Sequence, residues 1–158
     1  MDRKLKTILL LILCIALLAT AGCGGKVPAH ADLQKLYEQL AAEPDMPEMM
    51  LLSAKQAEKF YGLDLSACPQ AVLALCDDGL RVDEIWLIEA ESDEQAAAIL
   101  ETAKAHVEQI CSETENYLPD QYAVAKDARV LQIGSSVALL ISPRAEAMEQ
   151  AFRAAFDG

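Results

Sequence analysis

Val82-Asp83-Glu84-Ile85-Trp86-Leu87-Ile88-Glu89-Ala90 runs through Glu91 into Ser92-Asp93-Glu94-Gln95, and this junction decides the fold. The first nine residues are largely apolar and partly β-branched, which predicts a strand. Ile85 and Leu87 fall on one face and Trp86 and Ile88 on the other, so its middle is apolar on both sides. Either the sheet is covered on both faces there or it shows an exposed apolar patch. Ser92 with Gln95 three residues on forms a capping box, which opens a helix over about Asp93 to Glu115. Along it Ala96, Leu100, Ala103, Val107 and Ile110 recur on one side, and Ile99 widens the stripe.

Upstream, Ala71 to Cys76 is a second apolar run, joined to the first by the turn residues Asp77-Asp78-Gly79, so the two are expected to pair antiparallel. Before it, Asp32 caps a helix reaching about Ala42, with Leu33, Leu36, Tyr37 and Leu40 on one face. Pro44 and Pro47 make Glu43 to Met50 a loop with the apolar exit Met49-Met50-Leu51-Leu52. Ser53 with Gln56 starts a short helix that carries Ala57, Phe60 and Tyr61 and stops at Gly62. Downstream, Tyr117 to Tyr122 breaks out of the long helix, and Arg129 to Ile133 and Val137 to Ile141 form a hairpin around Gly134-Ser135-Ser136. Ser142 as N-cap and Pro143 at the first helical position launch a closing helix, with Ala145, Met148, Phe152 and Ala155 inward and Phe156 beside them. The class is therefore α+β: a four-stranded, mainly antiparallel sheet in ββαββα order, packed on two long helices and preceded by two N-terminal helices. The halves share no residue-level repeat.

At the other end of the chain, Asp2, Arg3, Lys4 and Lys6 give a net positive start and Ile8 to Ala19 is an unbroken apolar run. This is the layout of a signal peptide, and the run is shorter than the roughly 20 residues a spanning helix needs. Ala21-Gly22-Cys23 resembles the lipobox of bacterial lipoproteins, with Thr20 where that class most often has leucine. The resemblance implies cleavage before Cys23, a diacylglyceryl group on its sulfur and fatty acyl lipid of the palmitate kind. The expected organisation is a signal peptide over residues 1–22, a lipidated cysteine and tether over 23–31, and one α+β domain over 32–158. That places the domain on the outer face of the cell membrane, held there by lipid.

The net charge of −12 repels nucleic acid and anionic headgroups, so acyl chains rather than a basic patch have to supply membrane affinity. Of five cysteines, Cys14 leaves with the leader and Cys23 carries the lipid. Cys68, Cys76 and Cys111 remain, an odd set that allows at most one internal disulfide and excludes a disulfide scaffold. Buried free thiols are the expectation.

The residues that could carry chemistry are few. His106 and Cys111 lie five apart on the long helix, about 140° around it, and point to opposite flanks of its apolar stripe. His30 belongs to the tether, so no metal site is expected. A Cys-His nucleophile would have only His30 and His106 to draw on, and the glycine-serine elbow, zinc-protease and phosphate-loop motifs do not occur. Asp77, Asp78, Asp83 and Glu84 form an acidic cluster without the spacing of a calcium loop and read as a solvated turn. Trp86 and Tyr122 are the candidates for a ligand groove or partner surface, although such residues more often complete a core.

Several stretches together resemble an uncharacterised family of small lipoproteins, a domain-of-unknown-function family common in clostridia-like Gram-positive bacteria. They are Asp45-Met46-Pro47-Glu48-Met49-Met50, Tyr61-Gly62, Val82-Asp83-Glu84-Ile85, Tyr117-Leu118-Pro119-Asp120-Gln121-Tyr122 and Ala151-Phe152 with Phe156. The similarity covers about Leu33 to Phe156 and departs at Gly134-Ser135-Ser136, where that family has an aromatic. It implies a lipid at Cys23 and an α+β domain, and offers no catalytic residues. The functional expectation is a non-catalytic extracytoplasmic interaction or sensing module with an envelope protein as partner and no cofactor beyond its lipid. The alternative is a small-molecule or ion-binding lipoprotein.

Overall fold

The computed structural model describes residues 30–157. The expected leader, the expected lipid site at Cys23 and the expected tether before His30 lie outside them. The elements are α1 (Leu33–Ala41), β1 (Met49–Leu51), α2 (Ala54–Tyr61), β2 (Gln70–Cys76), β3 (Glu84–Glu89), α3 (Asp93–Thr114), α4 (Pro119–Lys126), β4 (Arg129–Ile133), β5 (Ser136–Ile141) and α5 (Ala145–Ala154).

The strands form one antiparallel sheet in the order β1-β2-β3-β5-β4, with β3 at its centre. Trp86 sits between Leu73 of β2 and Leu139 of β5, and Ile85 between Ala74 and Leu140. All six residues of β3 are buried. Alternation sends them to two separate apolar layers. Ile85 and Leu87 pack with Leu36, Tyr37 and Leu40 of α1 and Met148 and Phe152 of α5. Trp86 and Ile88 pack with Ala57 of α2 and Ala96, Ile99 and Ala103 of α3.

Local signals explain most of the boundaries. The Asp32 side chain accepts the Lys35 N–H at 2.9 Å, Ser53 and Gln56 form the complete capping box, and the Ser92 hydroxyl accepts the Gln95 N–H at 3.2 Å. Gly62 ends α2 with φ of 70°, in the left-handed region that costs glycine little. At the β2–β3 turn, Asp78 Oδ1 accepts the Leu80 N–H.

Four expectations need correction. The sheet has five strands rather than four: Met49–Leu51, read as a loop exit, pairs along Ala74 to Cys76, and three residues are too few to show a period. The chain does leave α3 before Tyr117, but Pro119 then begins α4, a helix not expected there, because a proline at the first helical position has no N–H to lose. The closing helix starts two residues later than expected, at Ala145. Arg144 occupies its cap position, while the Ser142 hydroxyl accepts the Arg144 N–H at 3.1 Å and so fixes the turn before it. The two expected long helices are unequal, 22 residues in α3 and 10 in α5, and they cover opposite faces of the sheet.

Candidate functional site

Where β3 begins, the chain places two consecutive carboxylates inside the protein. Asp83 is 2% exposed and Glu84 is 5% exposed. The acidic cluster expected at a solvated turn therefore divides: Asp77 and Asp78 stay exposed at the tip, while Asp83 and Glu84 are buried by the elements that cover the sheet. Buried carboxylates require donors.

Glu84 has three. Its Oε1 accepts the Tyr61 hydroxyl at 2.5 Å and the Trp86 indole N–H at 2.6 Å, and its Oε2 lies 2.8 Å from His106 Nε2. The donors come from α2, from the same strand and from the middle of α3, so one carboxylate ties three elements together. Their rings also pack on each other. Trp86 stacks on His106 with centroids 5.3 Å apart, and Tyr61 lies 4.6 Å from Trp86 and 4.8 Å from His106. Burial, and next the Glu84 charge, push the Tyr61 phenol far above its ordinary range, so it acts as a neutral donor.

Asp83 is held differently. Its Oδ2 accepts Arg81 Nε at 2.9 Å, and its Oδ1 has no hydrogen-bond partner among the described residues. The Val82 N–H donates to the Gln121 side chain at 3.0 Å, which docks α4 beside this strand end. Between the β2–β3 turn, the last turns of α3 and the start of α4 lies a cavity of ≈ 320 Å³. Its walls include Leu75, Val82, Ile110 and Leu118, together with Arg81, Asp83, Glu84 and Glu113. Leu80, 67% exposed, stands at its edge.

Trp86, expected at a groove or partner surface, is wholly enclosed, because the even positions of β3 face the α3 layer. Tyr122 is half-buried on α4, with Lys126 Nζ 5.8 Å from its ring centre, and is not among the rings packed on Trp86. His30, assigned to the tether, places Nδ1 2.6 Å from Glu89 Oε1. Glu89 in turn accepts the Gln70 amide, which also donates to the Ala31 carbonyl, so the chain is already anchored to the sheet here. Among the described residues, no group of three or more His, Cys, Asp or Glu side chains could hold a metal ion, and no helix is long and apolar enough to cross a membrane.

Sequence reasoning missed Tyr61, Asp83, Glu84 and His106 as a set. One signal was available: Glu84 shares a strand face with Trp86 and Ile88, an acid at the head of an apolar row. Three of the stretches that carried the resemblance, at Tyr61, at Val82 to Ile85 and at Leu118 to Gln121, converge on this one end of the sheet. A family model described as a domain of unknown function (DUF4358) matches residues 42–142, a span that holds all of these residues. No curated protein and no solved structure matches the chain.

Proposed function

The chain belongs to the DUF4358 family, and from that premise we propose that it is a lipid-anchored extracytoplasmic interaction or sensing module without catalytic activity. Location rests on the basic start, the apolar run and Ala21-Gly22-Cys23, which together support a signal peptide, a lipid on Cys23 and residence on the outer face of the cell membrane. One observation carries the role: the buried Asp83–Glu84 pair lines a cavity, and Glu84 is engaged through both oxygens in holding the fold. Glu84 spends both oxygens on Tyr61, Trp86 and His106. A carboxylate so occupied favours a site that binds over one that turns a substrate over.

A second reading, a small-molecule-binding lipoprotein, is favoured by the size of the cavity, ≈ 320 Å³, which falls within the range of small-ligand sites.

The test is crosslinking of the native protein in intact cells, with Cys23→Ala as the mislocalised control. The expected result is a membrane-bound wild type, a mature N-terminal peptide beginning at lipid-modified Cys23, and a stoichiometric envelope partner lost in Cys23→Ala. An unmodified Cys23 in a protein recovered from the soluble fraction would overturn the location. Nothing captured above control would overturn the interaction role and leave the small-ligand reading.

A further inference from the structure

The cavity at the head of β3 is uneven in charge. Asp83, Glu84 and Glu113 line it, and Arg81 is the one basic residue among the lining residues. Arg81 is already committed, its Nε on Asp83 Oδ2 at 2.9 Å. His106 meets Glu84 from the α3 side and is not part of the lining. Asp83 Oδ1 is buried, and the described residues supply it no donor. A buried acceptor left without a donor is unfavourable and points to a group that completes it.

We infer that this cavity takes a small organic cation, an ammonium or amidinium head on a short apolar stem. This deepens the small-ligand reading above and rests on it. A carboxylate or phosphate would bring a like charge beside two buried acids. A neutral apolar molecule would fill the space but leave Asp83 Oδ1 without a donor. A cationic head answers the acids, and Leu75, Val82, Ile110 and Leu118 accept the stem. At about 30 Å³ per water, the volume admits on the order of ten heavy atoms.

The experiment titrates the isotopically labelled full chain in detergent micelles with n-pentylammonium, 1-pentanol and pentanoate, following backbone amide resonances. Saturable shifts at Val82, Thr114 and Leu118 are expected with the ammonium, binding about tenfold weaker with the alcohol and none with the carboxylate. Asp83→Asn and Glu113→Gln should each weaken ammonium binding by about three- to tenfold. Glu113 is exposed and holds no core group, so it decides the matter if Asp83→Asn loses its dispersed spectrum. Equal binding of the alcohol or the carboxylate, or ammonium binding unaffected by Glu113→Gln, would overturn the cationic class and leave the cavity as a binding site. Silence of these amides toward all three probes would overturn the small-ligand reading itself.

Discussion

The Trp86 indole N–H donates to Glu84 Oε1 at 2.6 Å, across two residues of one strand. Both side chains thus leave β3 on the same face, and Tyr61 and His106 close around them from two helices. Removing the carboxylate strands all these groups at once. Glu84→Ala should cost about 3–5 kcal/mol, because buried donors are left without an acceptor. Glu84→Gln retains one acceptor oxygen and should cost about half as much. Urea unfolding followed by the single tryptophan, Trp86, measures both. Equal losses for Ala and Gln would show that charge, not hydrogen bonding, holds the cluster.

Tyr61 makes stability depend on alkaline pH. Its folded pKa is raised above the ordinary value of 10.0, first by burial and then by Glu84, and Tyr37 is raised by burial. Below pH 10 both phenols are protonated in the folded and unfolded chains alike and contribute no pH dependence. Above it the unfolded chain releases protons that the native protein retains, so stability falls as pH rises. Tyr61→Phe should flatten that fall while lowering stability near neutrality by about 1 kcal/mol for the lost hydrogen bond. Unfolding midpoints at pH 7, 10 and 11 for both proteins give the comparison. An unchanged alkaline slope would remove Tyr61 from the account.

Local chemistry was legible in the sequence, and pairing across distance was not. Asp32, Ser53 with Gln56, Gly62 and Ser92 with Gln95 announce helix ends through contacts within four residues, and the structure has them. The two-sided burial of Ile85 to Ile88 was readable from the absence of alternation. Met49–Leu51 became a strand only because β2 offered an edge, a tertiary effect that three residues cannot signal. Tyr61, Glu84 and His106 lie more than twenty residues apart in succession, and nothing in a single chain says that one strand end meets the first turns of neither helix but the end of α2 and the middle of α3. Their union required the register of the sheet and the placement of both helices.

Gly62 separates backbone strain from packing. Its φ is 70°, yet a Cβ added there would meet nothing within 4 Å. Gly62→Ala should therefore destabilise by about 1 kcal/mol through the left-handed conformation alone. Gly79 has the same open space without a positive φ, so Gly79→Ala should shift stability by no more than about 0.5 kcal/mol. Thermal or urea midpoints of the two variants decide it. Equal losses would mean that φ at Gly62 is not what costs.

Among the described residues Cys68, Cys76 and Cys111 are free, and burial pushes the Cys68 and Cys111 thiols above their ordinary range, which lowers the reactive thiolate fraction. Alkylation in denaturant followed by peptide mapping should find all three labelled to the same extent with or without prior reductant. A reductant-dependent pair would contradict this. In the native protein Cys76, buried at the end of β2 beside Asp83, should be the slowest of the three, since labelling it requires that strand end to open. The Cys76 N–H donates to the Asp83 carbonyl at 2.9 Å, so opening that end also exposes the buried acids of the cavity wall. Glu84→Ala should then speed native-state labelling of Cys76 in proportion to its loss of stability, while Cys111, on α3, responds less. Equal acceleration at both thiols would place the opening in global unfolding rather than at this end of the sheet.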